Sequence, residues 1–215
     1  EAPLKENLAA GLIGLTGWDK KTAIVDLFCG SGTILIEAAM MALNVAPGLQ
    51  RKRFGFMNLL DFDKKTWEDI VQEAIDGEKE ELDFKFYGHD IDKKIVDIAK
   101  RNAKSAGVLE HIEFKCTPVS VALPPEEKSL VICNPPYGSR IGDEDNLKDV
   151  YRDLGFTLKH RFNGCEAWVL AGNKELLQEM KLKSTRKYFV FNGNIECRYL
   201  KYEKNEGSHR KPKTE

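Results

Sequence analysis

Residues 23–33, Ala-Ile-Val-Asp-Leu-Phe-Cys-Gly-Ser-Gly-Thr, run from an unbroken apolar stretch through a glycine turn into helix-forming sequence. A buried strand passing straight into a helix is the repeating unit of a mainly parallel α/β sheet. The rest of the chain keeps that rhythm. Ala23–Phe28 reads as a strand, followed by a helix to about Leu43. Phe84–Asp90 reads as a second strand, and Lys93–Ala106 as a helix with Asp92 as its N-cap and Gly107 as its stop. Ile95, Ile98, Ala99 and Ala103 fall on one face of that helix. Ile112–Cys116 and Leu130–Cys133 are further strands. A helix over 146–160 carries Leu147, Val150, Tyr151, Leu154 and Leu158 at helical spacing. A fifth strand, Ala167–Ala171, and a short helix, Glu175–Met180, follow. Lys187–Phe191 and Ile195–Tyr202, joined by Asn192-Gly193-Asn194, read as an antiparallel hairpin.

The expected architecture is therefore an α/β fold: a mostly parallel, seven-stranded sheet ending in an antiparallel hairpin. Residues 1–202 form one domain, and 203–215, which lack apolar residues, form a disordered tail. Residues 44–83 interrupt the alternation as an insertion, with basic Arg51-Lys52-Arg53, aromatic Phe54 and Phe56, and a helix around Trp67–Ile75.

Lys plus Arg total 33 and Asp plus Glu 34, a net charge of −1, which argues against coating nucleic acid by bulk electrostatics. No run of about 18 apolar residues is available to span a membrane. The five cysteines are scattered, with no C-x-x-C pair, and read as thiols of a reducing cytoplasm. The four histidines lack ligand spacing, so no metal site is expected. The first residues, Glu-Ala-Pro-Leu-Lys-Glu, are no signal peptide, and the missing Met suggests a fragment of a longer chain.

Glycines at 30 and 32 let the backbone turn tightly and let a ligand approach the helix N-terminus beyond. A bare strand–helix turn would need the same residues. Position 35 is Leu rather than the third glycine of the dinucleotide fingerprint. Asp90 ends the second strand, where a carboxylate can take both hydroxyls of a ribose. It lies beyond the usual spacing of about 20 residues from the glycines, and the insertion accounts for the excess.

After the fourth strand comes Asn134-Pro135-Pro136-Tyr137-Gly138. Two prolines remove two N–H groups, so the loop offers acceptors, and the Asn134 amide oxygen adds another. Tyr137 supplies a ring able to stack on a base. Such a loop can accept both hydrogens of an exocyclic amine and aim its lone pair at an electrophile. The plainer alternative is a strand-ending turn.

The Asp26–Thr33 turn, Asp90 and Asn134–Tyr137 together resemble class I S-adenosylmethionine-dependent methyltransferases acting on amino groups. The chain also resembles, over nearly its whole length, the catalytic domain of THUMP-containing RNA methyltransferases. These include bacterial 23S rRNA guanine-N2 methyltransferases, often labelled N6-adenine-specific DNA methylases. The further matching segments are Ala2–Ala10, Ala46–Leu49, Arg53-Phe54, Gly138-Ser139-Arg140 and Asn192–Cys197. The resemblance implies a Rossmann-like fold with helices on both faces, the cofactor S-adenosyl-L-methionine, and 23S rRNA as partner. It implies that Asp26, Gly30 and Gly32 line the methionine end of the cofactor, with Phe28, Thr33, Thr117 and Asn134 also among its binding residues. Asp90 would bind the ribose and Ile91 would lie beside the adenine. Asn134 and Pro135 would accept from the target amine, Pro136 would complete the catalytic loop, and Tyr137 would stack on the flipped base. Lys5, Glu6 and Asn7 would close over the cofactor. Thr117 stands where the family often carries an acidic residue near the adenine amine, and a hydroxyl accepts less strongly there. An RNA-binding THUMP module would precede this domain and carry most of the RNA affinity.

Other readings remain. A dehydrogenase would use the glycine turn but not Asn134–Tyr137. Cytosine-C5 methylation needs a nucleophilic thiol, which Cys29 and Cys133 are poorly placed to supply. A degenerate fold kept as an RNA-binding module is the non-enzymatic alternative, and tRNA or DNA adenine are alternative substrates. Arg140, close to the catalytic loop, and Arg51 with Arg53 are candidate RNA contacts, although a solvated basic loop would look the same.

Overall fold

The computed structural model describes residues 4–49, 51–126, 128–137 and 144–203. The elements run α1 (Glu6–Thr16), β1 (Ile24–Asp26), α2 (Thr33–Ala42), α3 (Lys64–Asp76), β2 (Phe86–Asp90), α4 (Lys93–Ser105) and β3 (Ile112–Cys116). They continue through β4 (Leu130–Cys133), α5 (Glu144–His160), β5 (Glu166–Ala171), α6 (Lys174–Glu179), β6 (Arg186–Asn192) and β7 (Ile195–Tyr202). Among the described residues the strands form one sheet of seven, ordered β3-β2-β1-β4-β5-β7-β6. The first five are parallel, and β7 lies antiparallel between β5 and β6.

Each strand's composition matches its place. β4 is buried at every position because helices cover both faces of a central parallel strand. β3, at the edge, alternates buried Ile112 and Phe114 with exposed Glu113 and Lys115. One face packs Ile24, Ile132, Trp168 and Tyr199 against Leu12 and Ile13 of α1, Leu35 and Ala38 of α2, and Ala99 of α4. The other packs Val25, Val131, Val169 and Leu200 against Tyr151, Leu154 and Leu158 of α5 and Leu176 of α6. Trp168 is fully buried, stacks 4.9 Å from the Tyr199 ring, and donates its indole N–H to Glu166 at 2.6 Å.

Four local readings shift. Helix α1 was not anticipated: Gly11 and Gly14 dilute its signal, yet Ala9, Leu12 and Ile13 bury at helical spacing and Gly17 closes it at φ 72°. On α4 the core face is Val96, Ala99 and Ala103, whereas Ile95 and Ile98 are only half-buried. The first strand shortens to Ile24–Asp26 because Phe28 N–H turns back onto Asp26 Oδ1 at 3.0 Å. Glu203, read as the first tail residue, pairs with Lys201, which also reaches Glu166 at 2.8 Å. The rest of that tail lies outside the described residues.

The insertion is stitched at its base, where Lys79 N–H donates to Leu43 O at 2.8 Å and Asn44 Nδ2 to Gly77 O at 2.9 Å. Its helix α3 buries no residue in the main core. Phe54, Phe56 and Trp67 pack on one another instead, at centroid distances of 5.1–5.4 Å.

Candidate active site

The sheet order reverses direction between β1 and β4, so a crevice opens past their carboxyl ends. A cavity of about 510 Å³ occupies it. Of the residues anticipated from sequence, Asp26, Phe28, Gly30, Thr33, Asp90, Ile91, Asn134 and Pro136 line that cavity. Leu4, Cys29, Ser31, Ile34, Ile95, Ile98 and Val150 line it as well. These seven were not singled out as binding residues; the apolar half-turns of α4 and α5 at their crevice ends were the available signal.

Local chemistry fixes the geometry. Gly30 and Gly32 sit at φ 52° and 87°, the left-handed region that side chains resist. A Cβ on Gly32 would lie 3.2 Å from Phe114 Cζ and 3.3 Å from Ala99 Cβ. Cys29 N–H donates to His89 O at 2.8 Å, tying the turn to β2. Asp90 secures the other side: its Oδ2 accepts from Gly30 N–H at 3.1 Å and its Oδ1 from Asp92 N–H at 2.9 Å. Each carboxylate oxygen keeps a lone pair in reserve. Asp92, as expected, caps α4 by accepting from Lys94 N–H at 2.8 Å.

Asp26 is 1% exposed, and burial, reinforced by the charge of Asp90, pushes its carboxyl up to about 8 against the bond from Phe28 N–H. Among the described residues no cation pairs with it. Burial also raises the thiols of Cys29 and Cys133, keeping both protonated and inert as nucleophiles.

Asn134 begins the loop after β4, and its Oδ1 is buried without a hydrogen-bond partner among the described residues. Pro135 is buried and Pro136 half-exposed to the crevice. Tyr137 does not line the cavity: its hydroxyl accepts from Asn192 Nδ2 at 2.8 Å. Thr117 sits just past β3, its N–H donating to Asp90 O at 2.8 Å, and also lies off the cavity. Arg51 and Arg53 are exposed on the insertion and do not line this cavity. Arg51 stands over the Phe54 ring at 5.1 Å and borders a second depression of about 770 Å³. That depression shares Leu4, Ser31, Thr33 and Ile98 with the crevice and includes Lys5 and Glu6, but not Asn7. Arg140 lies outside the described residues.

Among the described residues, no helix is long and apolar enough to cross a membrane, and no group of three or more metal-ligating side chains gathers.

The chain is 46% identical over 206 residues to the ribosomal RNA large subunit methyltransferase K/L of Shewanella baltica (strain OS195), covering 94% of this chain and 29% of that protein. It thus spans under a third of the curated relatives it matches. A possible methylase from Clostridium difficile 630 superposes at a TM-score of 0.88 with 37% identity, over all of this chain and 55% of that one. SMU.472, a methyltransferase complexed with SAH, superposes at 0.87 with 29% identity, over 94% of this chain and 53% of that one. A crevice at the sheet's reversal point, with a glycine turn, a strand-end Asp and an Asn-Pro-Pro-Tyr loop, accords with the family model that matches residues 1–201, and the chain belongs to the RMKL-like methyltransferase domain family (UPF0020).

Proposed function

We propose that the chain transfers a methyl group from S-adenosyl-L-methionine to an exocyclic amino group of an RNA base, guanine N2 of 23S rRNA. The observation that carries this reading is Asn134 Oδ1. Among the described residues it is a buried acceptor without a partner, at the wall of the crevice that also holds Asp26 and Asp90. Burying an acceptor unpaired is costly, and an amine hydrogen arriving from the crevice would satisfy it. Asp26 fits the cofactor in the same sense, as a buried carboxyl that a ligand ammonium would complement. When bound, S-adenosylmethionine supplies an electrophilic methyl group on its sulfonium.

The protein's own contribution is orientation and charge. Asp90, held by two backbone N–H groups, offers its remaining lone pairs to the ribose hydroxyls. Ile91, 75% exposed, gives the adenine an apolar surface, and the Thr117 hydroxyl contacts the adenine amine. Phe28, Gly30, Gly32 and Thr33 shape the methionine side. Asn134 and the Pro135 carbonyl accept the two amine hydrogens, which turns the nitrogen lone pair toward the methyl group and offsets positive charge developing on nitrogen. Pro136 borders the crevice without an N–H to compete, and Tyr137 stacks on the flipped base. Arg51, Arg53 and Arg140 contact RNA phosphates, and an N-terminal RNA-binding module supplies most of the affinity in a cytoplasmic enzyme. Residues 1–202 are the catalytic domain and 44–83 its insertion. The Shewanella relative, a ribosomal RNA large subunit methyltransferase, and the SAH bound to SMU.472 support the substrate class and cofactor.

Calorimetry with S-adenosylhomocysteine, then tritiated methyl transfer to unmodified 23S rRNA, tRNA and DNA, tests this. N2-methylguanosine in digested rRNA is expected. N6-methyladenine would overturn the base assignment, and absence of cofactor binding would favour a non-enzymatic RNA-binding module.

A further inference from the structure

The hairpin tip Asn192-Gly193-Asn194 has, so far, only a turn's duty. Its first residue nonetheless reaches across the sheet end to the catalytic loop. Asn192 Nδ2 donates to Tyr137 Oη at 2.8 Å, joining residues 55 apart in sequence. Cys197 Sγ lies 3.8 Å from the same oxygen. On the ring's flank, a Cβ placed on Gly172 would come within 2.7 Å of Tyr137 Cδ2 and 2.8 Å of Cε2. The same Cβ would meet Ile195 Cγ2 at 2.9 Å. Those distances are shorter than any real contact, so position 172 must be free of a side chain for the ring to lie where it does. Tyr137 is therefore gripped at its hydroxyl by the hairpin and at its edge by the turn after β5. It also sits three residues from Asn134, with two prolines between them that leave the intervening backbone little freedom.

We propose that Asn192 is a positioning residue for methyl transfer, acting through Tyr137, and that Gly172 makes room for the pose it sets. The hydrogen bond holds the Tyr137 ring at one orientation before substrate arrives. A flipped base then meets a fixed stacking surface, and the loop's acceptors stay in register with its amine. The effect on rate rests on the proposed methyl transfer, whereas the effect on the ring does not.

The experiment is a double-mutant cycle with Asn192→Ala, Tyr137→Phe and the pair together, in the full chain. Transfer is measured to unmodified 23S rRNA transcript, and the Tyr137 ring is followed by NMR of ¹³C-tyrosine-labelled protein without ligand. We expect each single variant to lower kcat roughly five- to tenfold, the rate equivalent of one neutral hydrogen bond. The double variant should be no worse than either, and S-adenosylhomocysteine affinity should not change. The Tyr137 ring signal should shift or broaden in Asn192→Ala. Gly172→Ala, which disturbs the ring with Asn192 in place, should reproduce the kcat loss. Multiplicative losses in the double variant, an unmoved ring signal, or a kcat equal to wild type would each overturn the proposal. If Asn192→Ala loses stability, Tyr137→Phe, which keeps the ring, carries the comparison. If the wild-type chain methylates no RNA, the functional reading fails and the ring signal alone decides the positioning claim.

Discussion

Replacing Asp26 by Asn should change how the protein's stability depends on pH more than it changes the stability itself at low pH. The carboxyl is 1% exposed and its folded-state value lies at about 8, against 3.8 when unfolded. Between those values the folded chain keeps a proton here that the unfolded chain gives up. Stability from this group is therefore complete below pH 4 and is lost as pH rises toward 8. One proton corresponds to about 1.4 kcal/mol per pH unit. Relative to Asp26→Asn, the wild type should lose about 1.4 kcal/mol between pH 6 and 7, and about 2 kcal/mol between pH 6 and 8. The Asn amide oxygen keeps an acceptor for Phe28 N–H, so other contacts are matched. Urea unfolding of both proteins at pH 6, 7 and 8, read as the difference between them, cancels every other titrating group. Parallel curves would show Asp26 ionised in the folded protein and refute the reasoning. The same proton has a binding consequence. A cationic ligand group at Asp26 should expel up to one proton at pH 7, visible as a binding heat that varies with the buffer's ionisation enthalpy.

Further outcomes follow from the same geometry. Asn134→Ala should abolish methyl transfer while leaving S-adenosylhomocysteine affinity nearly intact by calorimetry; loss of both together would make Asn134 structural. Asp90→Ala should weaken cofactor binding and also loosen the glycine turn, because Gly30 and Asp92 N–H lose their acceptor; amide exchange at Gly30 should speed up. Trp168→Ala should cost about 3–5 kcal/mol in chemical unfolding, since a fully buried ring stacked on two tyrosines leaves a cavity. With its balance of 33 basic against 34 acidic residues, the chain alone should bind RNA weakly at physiological salt, and a tight titration would contradict that.

Much of this arrangement is written in local sequence. Strands such as Leu130–Cys133 and the Asn-Gly hairpin announce themselves because burial and turn chemistry act over a few residues. So does Asp92, whose capping role needs only its own helix. What resisted reading depends on contacts distant in sequence. The apolar side of α4 serves two neighbours at once, with Val96 packing inward while Ile95 and Ile98 border the crevice, and periodicity alone does not separate them. Two glycines masked α1 although its apolar spacing was present. The crevice order of Asp26, Asp90 and Asn134 was legible from strand ends, but the unpaired Asn134 oxygen and the grip of Asn192 on Tyr137 were not. Those are properties of packing between segments that the chain brings together only on folding.

The reversal of strand order between β1 and β4 also divides the molecule by chain position. Every crevice residue up to Ile98 comes from the half that builds β1, β2 and their helices. Asn134, Pro136 and Val150, together with the hairpin that holds Tyr137, come from the half after residue 130. The two halves meet through the β1–β4 pairing, Ile24 with Leu130 and Val25 with Val131, and through the core layers on either face. On the proposed function the first half would handle the methyl donor and the second the acceptor, so a single crossover near residue 125 would exchange the target while keeping the source of methyl groups.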